Sequence, residues 1–217
     1  MPSQLDPALK VAEFLLQIKA VKLSPTKPYT WASGWKSPIY CDNRKTLSYP
    51  AVRTFIRQQF VHVINSEFGR PDMIAGVATG GIAHGALVAH DMGLPFIYVR
   101  SDAKGHGLQN QVEGDLTVGR SVVVVEDLVS TGKSSLNAVQ ALRDAGCEVK
   151  GMVSIFTYGF DEAAKAFAKE KVTLRSLTNY SVLLDQALRS DYITEKDLLP
   201  LNEWRKDPAG WGVASKV

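Results

Sequence analysis

The chain has 217 residues, 45% of them hydrophobic, enough for one α/β domain with an appended subdomain. Its 25 Lys and Arg against 22 Asp and Glu leave a net charge of +3, too small to argue for a nucleic-acid partner, and no block of like charges forms a basic arm. No run of about 18 apolar residues and no signal-peptide pattern occurs, so no membrane contact and a cytoplasmic location are expected. Cys41 and Cys147 are expected as two free thiols in a reducing compartment, and no Cys/His cluster has zinc spacing.

In chain order, Asp6-Pro7 predicts a capped helix start, with Leu9, Ala12, Leu15, Leu16 and Ile18 on one face. From Ser24 to Arg44 helical periodicity is lost; Pro25, Pro28, Gly34 and Pro38 break it, and Tyr29, Trp31, Trp35 and Tyr40 add aromatic bulk. Tyr49-Pro50 opens a second helix that places Val52, Phe55, Ile56, Val63 and Ile64 near helical spacing and ends at Gly69. Strands are then predicted over 73–78, 95–99, 122–125, 149–156 and 172–177. Helices are predicted over 82–91 and 134–145, and a third runs from an Asp161 cap to about Glu170. Such alternation predicts a parallel sheet with right-handed crossovers and helices on both faces. The expected organisation is a single domain over 1–217, with a hood at about 1–48, an α/β core at about 49–178 and a C-terminal helical segment at about 179–217.

Three segments stand out. Thr79, Gly80 and Gly81 form a strand-to-helix turn whose amides can hold a pyrophosphate. Residues 101–116 are polar and glycine-rich, with Lys104 and His106 beside Gly105 and Gly107; so long a structureless stretch in a compact domain is a lid or a solvated loop. The third segment says most. Val122–Val125 reads as a strand buried on both faces, Glu126 and Asp127 sit at its expected end, and Leu128, Val129, Ser130, Thr131, Gly132, Lys133 and Ser134 lead into a helix. Carboxylates can accept hydrogen bonds from sugar hydroxyls, and amides at a helix start can hold a phosphate, so the pair suits a ribose phosphate. Gly132-Lys133-Ser134 does not complete a P-loop, because Asp127 stands where that motif needs glycine. The remaining histidines, His62, His84 and His90, read as surface or packing residues, and Trp204 and Trp211 as packing anchors.

The 122–134 stretch resembles the phosphoribosyl pyrophosphate signature of type I phosphoribosyltransferases. Ser33–Arg44 is similar to the N-terminal motif of the orotate-specific members, and Tyr98-Val99-Arg100 with Lys104-Gly105-His106-Gly107 resembles their catalytic loop. The three motifs occur in the family's order over about residues 5–190. The resemblance implies a type I fold, transfer of ribose 5-phosphate to orotate in pyrimidine biosynthesis, Mg2+ bound largely through substrate, and a homodimer sharing its active sites. It implies that Arg100, Lys104 and His106 act on the pyrophosphate leaving group, and that Glu126 and Asp127 hold the ribose directly or through the ion. It also implies that Val129–Ser134 hold the 5′-phosphate, while Ser130, Ser33, Gly34 and Arg44 face orotate. The chain departs from the pattern at Ala32, Ser101 and Tyr158, where some members carry a cation; Lys36, Arg44 or Lys45 would then replace the missing charge. A transferase for another base, a non-catalytic phosphoribosyl pyrophosphate sensor and a flavodoxin-like domain with another ligand are the alternatives.

Overall fold

A computed structural model describes residues 6–31, 34–100 and 111–211. Helix α1 (Pro7–Gln17) begins as expected, the Asp6 side chain accepting from the Ala8 amide at 2.9 Å. Val11, Ala12, Leu15 and Leu16 are its buried face, and it packs on the strand Leu174–Asn179 and the helix Tyr180–Arg189. The irregular segment that follows carries two small antiparallel pairs, which periodicity did not reveal. Strand β1 (Val21–Leu23) pairs with β4 (Ile39–Cys41), and β2 (Tyr29–Thr30) with β3 (Lys36–Ser37). A 3-10 turn over Asn43–Ser48 leads into α2 (Pro50–Val63), which widens into a π turn, Ile64–Phe68, before Gly69 ends it at φ 67°.

The α/β core follows: β5 (Met73–Val77), α3 (Gly80–Met92), β6 (Phe96–Val99), β7 (Val112–Glu113), β8 (Ser121–Val129), α4 (Lys133–Asp144), β9 (Glu148–Thr157), α5 (Asp161–Lys169) and β10 (Leu174–Asn179). Helices α6 (Tyr180–Arg189) and α7 (Glu195–Lys206) close it. The six strands lie in the order β10-β9-β8-β5-β6-β7, all parallel except β7, which pairs antiparallel with β6. Chain order therefore reverses between β5 and β8. In such open sheets the ligand crevice lies at the carboxyl ends of the strands flanking that reversal.

Both faces of the sheet are apolar, and alternate residues of one strand feed different layers. Val123 and Val125 join Ile74, Val153 and Ile155 under α1, α2, α3 and α6, whereas Val122 and Val124 join Met73, Ala75 and Met152 under α4 and α5. All four valines are fully buried, as a two-sided parallel strand requires. Among the described residues, no helix is long and apolar enough to cross a membrane.

Three expectations need correction. Strand β8 does not end at Val125 but runs to Val129, so Glu126 and Asp127 are strand residues rather than its terminus; continued pairing with β9 as far as Val129↔Thr157 carries it on. Asp161 is not the cap of α5 but its first residue, with Phe160 at the cap; its charge still suits the positive helix end. The polar 101–116 segment contains the short edge strand β7, too brief to leave a periodic signal.

The C-terminal helices enclose an aromatic cluster. Trp204 of α7 is fully buried, with Trp31, Tyr158, Phe160 and Tyr180 all within 5.5–5.6 Å between ring centroids. Arg205 ties the same turn down, donating from Nε to the Tyr158 carbonyl and from Nη2 to the Gly159 carbonyl, each at 3.2 Å. Trp204→Ala should cost roughly 3–5 kcal/mol in urea unfolding. Leu199→Ala, on the same helix but 67% exposed, should stay within about 0.5 kcal/mol.

Candidate active site

The crevice predicted by the strand order is present. A cleft of about 380 Å³ is lined by Val77–Gly80 from the β5–α3 turn, Glu126, Asp127 and Leu128 from β8, Ser134 from α4, and Cys41, Asp42 and Arg44 from the hood. Residues from three distant parts of the chain therefore meet there.

Close backbone approach builds its floor. A β-carbon on Gly81 would overlap the Val125 carbonyl oxygen, one on Gly80 would overlap the Asp127 carboxylate, and one on Gly76 would stand 2.8 Å from the Gly81 carbonyl oxygen. Glycine is needed here for proximity, not for a left-handed φ. The Ala78–Thr79 peptide in this turn is cis. No side chain caps the start of α3 or of α4. Their leading amides, with the helix dipoles behind them, are available to anions on both sides of the acid pair. Gly132, at φ 83°, is the cap residue of α4, and a β-carbon there would press on Phe167 at 2.8 Å.

Glu126 is 5% exposed. It accepts from the Asp127 amide at 3.0 Å and from the Ser135 hydroxyl at 3.2 Å. Burial, then the adjacent Asp127 charge, push its carboxyl well above the ordinary range. Burial also raises Asp127. The pair is thus held ready for hydroxyl groups or a cation, at an electrostatic cost to the free protein. Above it, Arg44 pairs with Asp42 at 2.7 Å, and the hydrogen bond from Arg44 holds Asp42 below the usual carboxylate range. The Arg44 side chain is 61% exposed.

The predicted site residues do not all converge. Thr79, Gly80, Glu126, Asp127, Leu128, Ser134 and Arg44 do line the cleft. Gly81 lies directly beneath, against β8. Thr131 and Lys133 line a separate groove between α4 and α5. Arg100 stands at the end of β6 and pairs with Glu113 of β7 at 3.4 Å. Val129 is the last, fully buried residue of β8, Ser130 follows it, Gly132 is the cap residue of α4, and Gly34 is exposed in the hood. Ser33, Lys104 and His106 lie outside the described residues. Sequence reasoning missed Asn43, fully buried, whose amide donates to the Asp127 carbonyl at 2.7 Å, and Ser135 beneath Glu126. Asn43 lies inside the Ser33–Arg44 motif, and its uncharged side chain gave no further signal. Among the described residues, His84 is buried, with its pKa lowered to about 4 by burial, then by the Arg53 charge, while His62 and His90 are exposed.

Residues 48–184 match the phosphoribosyl transferase domain. The orotate phosphoribosyltransferase of Bacteroides fragilis is 61% identical over 200 residues, covering 92% of this chain and 94% of that protein. That of Porphyromonas gingivalis is 55% identical over 203 residues, covering 94% of this chain and 97% of that one. Among solved structures, the Aeropyrum pernix orotate phosphoribosyltransferase superposes with a TM-score of 0.73 at 31% identity, covering 81% of this chain and 97% of that chain. Leishmania donovani UMP synthase superposes with a TM-score of 0.77 at 28% identity over 91% of this chain, which spans only 42% of that larger protein.

The acid pair makes a pH-dependent prediction. With its pKa raised on folding, Glu126 is easier to protonate in the folded protein than in the unfolded chain, so stability is lost as pH rises above the ordinary carboxylate range. Glu126→Gln should therefore melt above the parent protein at pH 8, by roughly 2–4 °C for each kcal/mol relieved, and the gap should close as pH falls toward 4. Scanning calorimetry across that range is the measurement.

Proposed function

The chain belongs to the phosphoribosyl transferase domain family, and we propose that it is an orotate phosphoribosyltransferase, moving ribose 5-phosphate from phosphoribosyl pyrophosphate to orotate in pyrimidine biosynthesis. The observation that carries this reading is the buried acid pair set between two uncapped helix starts at the sheet's reversal point. A ligand that offers ribose hydroxyls flanked by two anionic groups matches that arrangement.

In this reading the anomeric C–O bond breaks with its electron pair leaving on pyrophosphate. A ring nitrogen of orotate forms the new C–N bond, and that nitrogen's proton ends on pyrophosphate or in water. Positive charge grows on the ribose ring as the bond breaks. The start of α3 at Thr79–Gly81 receives the pyrophosphate and the turn before α4 receives the 5′-phosphate. Glu126 and Asp127 fix the ribose hydroxyls and oppose the developing positive charge. Arg44 faces the orotate carboxylate from the hood, and Arg100, Lys104 and His106 neutralise the leaving group. Ser33, Gly34 and Ser130 complete the surroundings of the base.

Magnesium fits the donor set. The cleft offers two adjacent hard carboxylates, and no cluster of three or more His, Cys, Asp or Glu exists among the described residues, so the protein would share a cation with substrate oxygens rather than cage it. Glu126 and Asp127 would hold it, and it would supply neutralisation of phosphate charge. We further read the protein as a single domain with a hood, as cytoplasmic, and as a homodimer whose sites are shared across the interface. Cys41 and Cys147 are free thiols, which suits a reducing compartment.

Orotate consumption, followed by absorbance with phosphoribosyl pyrophosphate and magnesium, should be rapid for the parent protein. It should fall on the order of 100-fold or more in Lys104→Ala. No turnover with orotate but retained phosphoribosyl pyrophosphate binding would redirect the reading to another base or to a sensor. Gly80→Ala, whose methyl overlaps the Asp127 carboxylate, should weaken phosphoribosyl pyrophosphate binding at least about tenfold by calorimetry.

A further inference from the structure

Strand β8 stays paired with β9 to its end, but its ladder with β5 stops at Gly76↔Val125. From that point β5 turns away into the Ala78–Gly81 loop, and the divergence opens the cleft. It also takes the neighbouring strand away from β8 where Asp127 sits. A half-buried carbonyl without a strand partner is stabilised by another donor. Asn43 supplies it, donating from Nδ2 to the Asp127 carbonyl at 2.7 Å across 84 positions of sequence.

Asn43 is itself fixed on every side. Its Oδ1 accepts from the Cys41 thiol at 3.3 Å, and its carbonyl accepts from the Thr46 hydroxyl at 2.6 Å. Thr46 Oγ1 also meets His84 Nε2 at 3.1 Å. A hydroxyl has one proton, and that of Thr46 goes to Asn43, so its oxygen accepts from His84 and the imidazole carries its proton on Nε2. His84 Nδ1 is then a bare acceptor, consistent with its lack of a partner. The hydrogen bonds run from Asp127 on β8 through the 3-10 turn to α3, the helix whose start is the Thr79–Gly81 loop. Asp42 and Arg44, on either side of Asn43, line the cleft from the hood together with Cys41.

We propose that Asn43 is a positioning residue that sets the height of the base-facing hood segment over the ribose-facing acid pair. It touches neither substrate. The inference rests on the orotate reading above, because it assigns Arg44 to the base and Asp127 to the sugar. Removing the Asn43 amide should leave each half of the site able to bind while spoiling their alignment, so kcat should suffer more than phosphoribosyl pyrophosphate affinity.

The experiment compares Asn43→Asp, which is nearly isosteric but replaces the donor, and the smaller Asn43→Ser, each alone and with Arg44→Ala. Expected are a fall in kcat of about tenfold or more, a higher KM for orotate, and a phosphoribosyl pyrophosphate Kd within about twofold of the parent. In the Arg44→Ala background the rise in orotate KM should largely vanish. Unchanged kcat and KM in the Asn43 variants, with only a lower melting temperature, would make the residue merely structural and overturn the proposal. Effects that multiply with those of Arg44→Ala would overturn it too. On the parent protein, imidazole nitrogen chemical shifts should report His84 as the Nε2–H form, and the Nδ1–H form would break the chain the assignment stands on. Failure of the parent to consume orotate would instead remove the functional reading, and this inference with it.

Discussion

The tight seating of α3 on β8 is the constraint on which the cleft depends. Gly81 lies on the Val125 carbonyl, Gly76 lies under the Gly81 carbonyl, and Gly80 abuts the Asp127 carboxylate. Three positions without side chains let a helix start reach the edge of a strand. The α3 amides thereby come beside the acid pair, and any side chain larger than hydrogen at Gly80 or Gly81 would separate them. The same seating directs β5 away from β8 and so opens the space a ligand needs.

Everything beneath that contact is rigid by composition. The four valines of β8 alternate between two apolar layers, so neither face of the strand can rotate toward solvent without exposing aliphatic surface. On this base the protein carries a feature that works against its own stability, a buried Glu126 next to a raised Asp127. Their shared burial disfavours the charged forms in the free protein, a cost that a hydroxyl donor or a cation beside the pair would relieve. Ser135 and the Asp127 amide soften the cost without cancelling it.

The hood is held at two places by different means. Asn43 and Thr46 bind it to β8 and α3 through buried hydrogen bonds. Trp31 binds it to the C-terminal helix through ring contacts with Trp204 and Tyr158. Tyr158 is spent on that aromatic cluster, and Arg205 is engaged by the backbone of the same turn. Neither therefore faces the cleft, which leaves Arg44 as the hood cation among its lining residues.

Local chemistry was enough to read much of this from the residues. A run of valines has one comfortable environment, a two-sided sheet; Asp6-Pro7 starts a helix whatever surrounds it; and Gly69 ends one because it adopts a positive φ without strain. Three motifs in the right order gave the family and most of the cleft. What the sequence could not supply came from pairing and packing between distant segments. Glu126 and Asp127 read as a strand end because they are charged, yet pairing with β9 continues through Glu126 and on to Leu128 and Val129. Strand β7 is two residues long and exists only against β6. Lys133 belongs to the motif but lines a groove shaped by α5 rather than the cleft. Asn43 is an unremarkable polar residue until the departure of β5 leaves a carbonyl 84 positions away in need of a donor. Backbone preference and apolar pattern are properties of short segments, so the sequence determined the elements and their faces. Which hydrogen-bonding groups lose a strand partner, and which side chains fill the gap, depends on where strands diverge in space, and only the tertiary structure decided that.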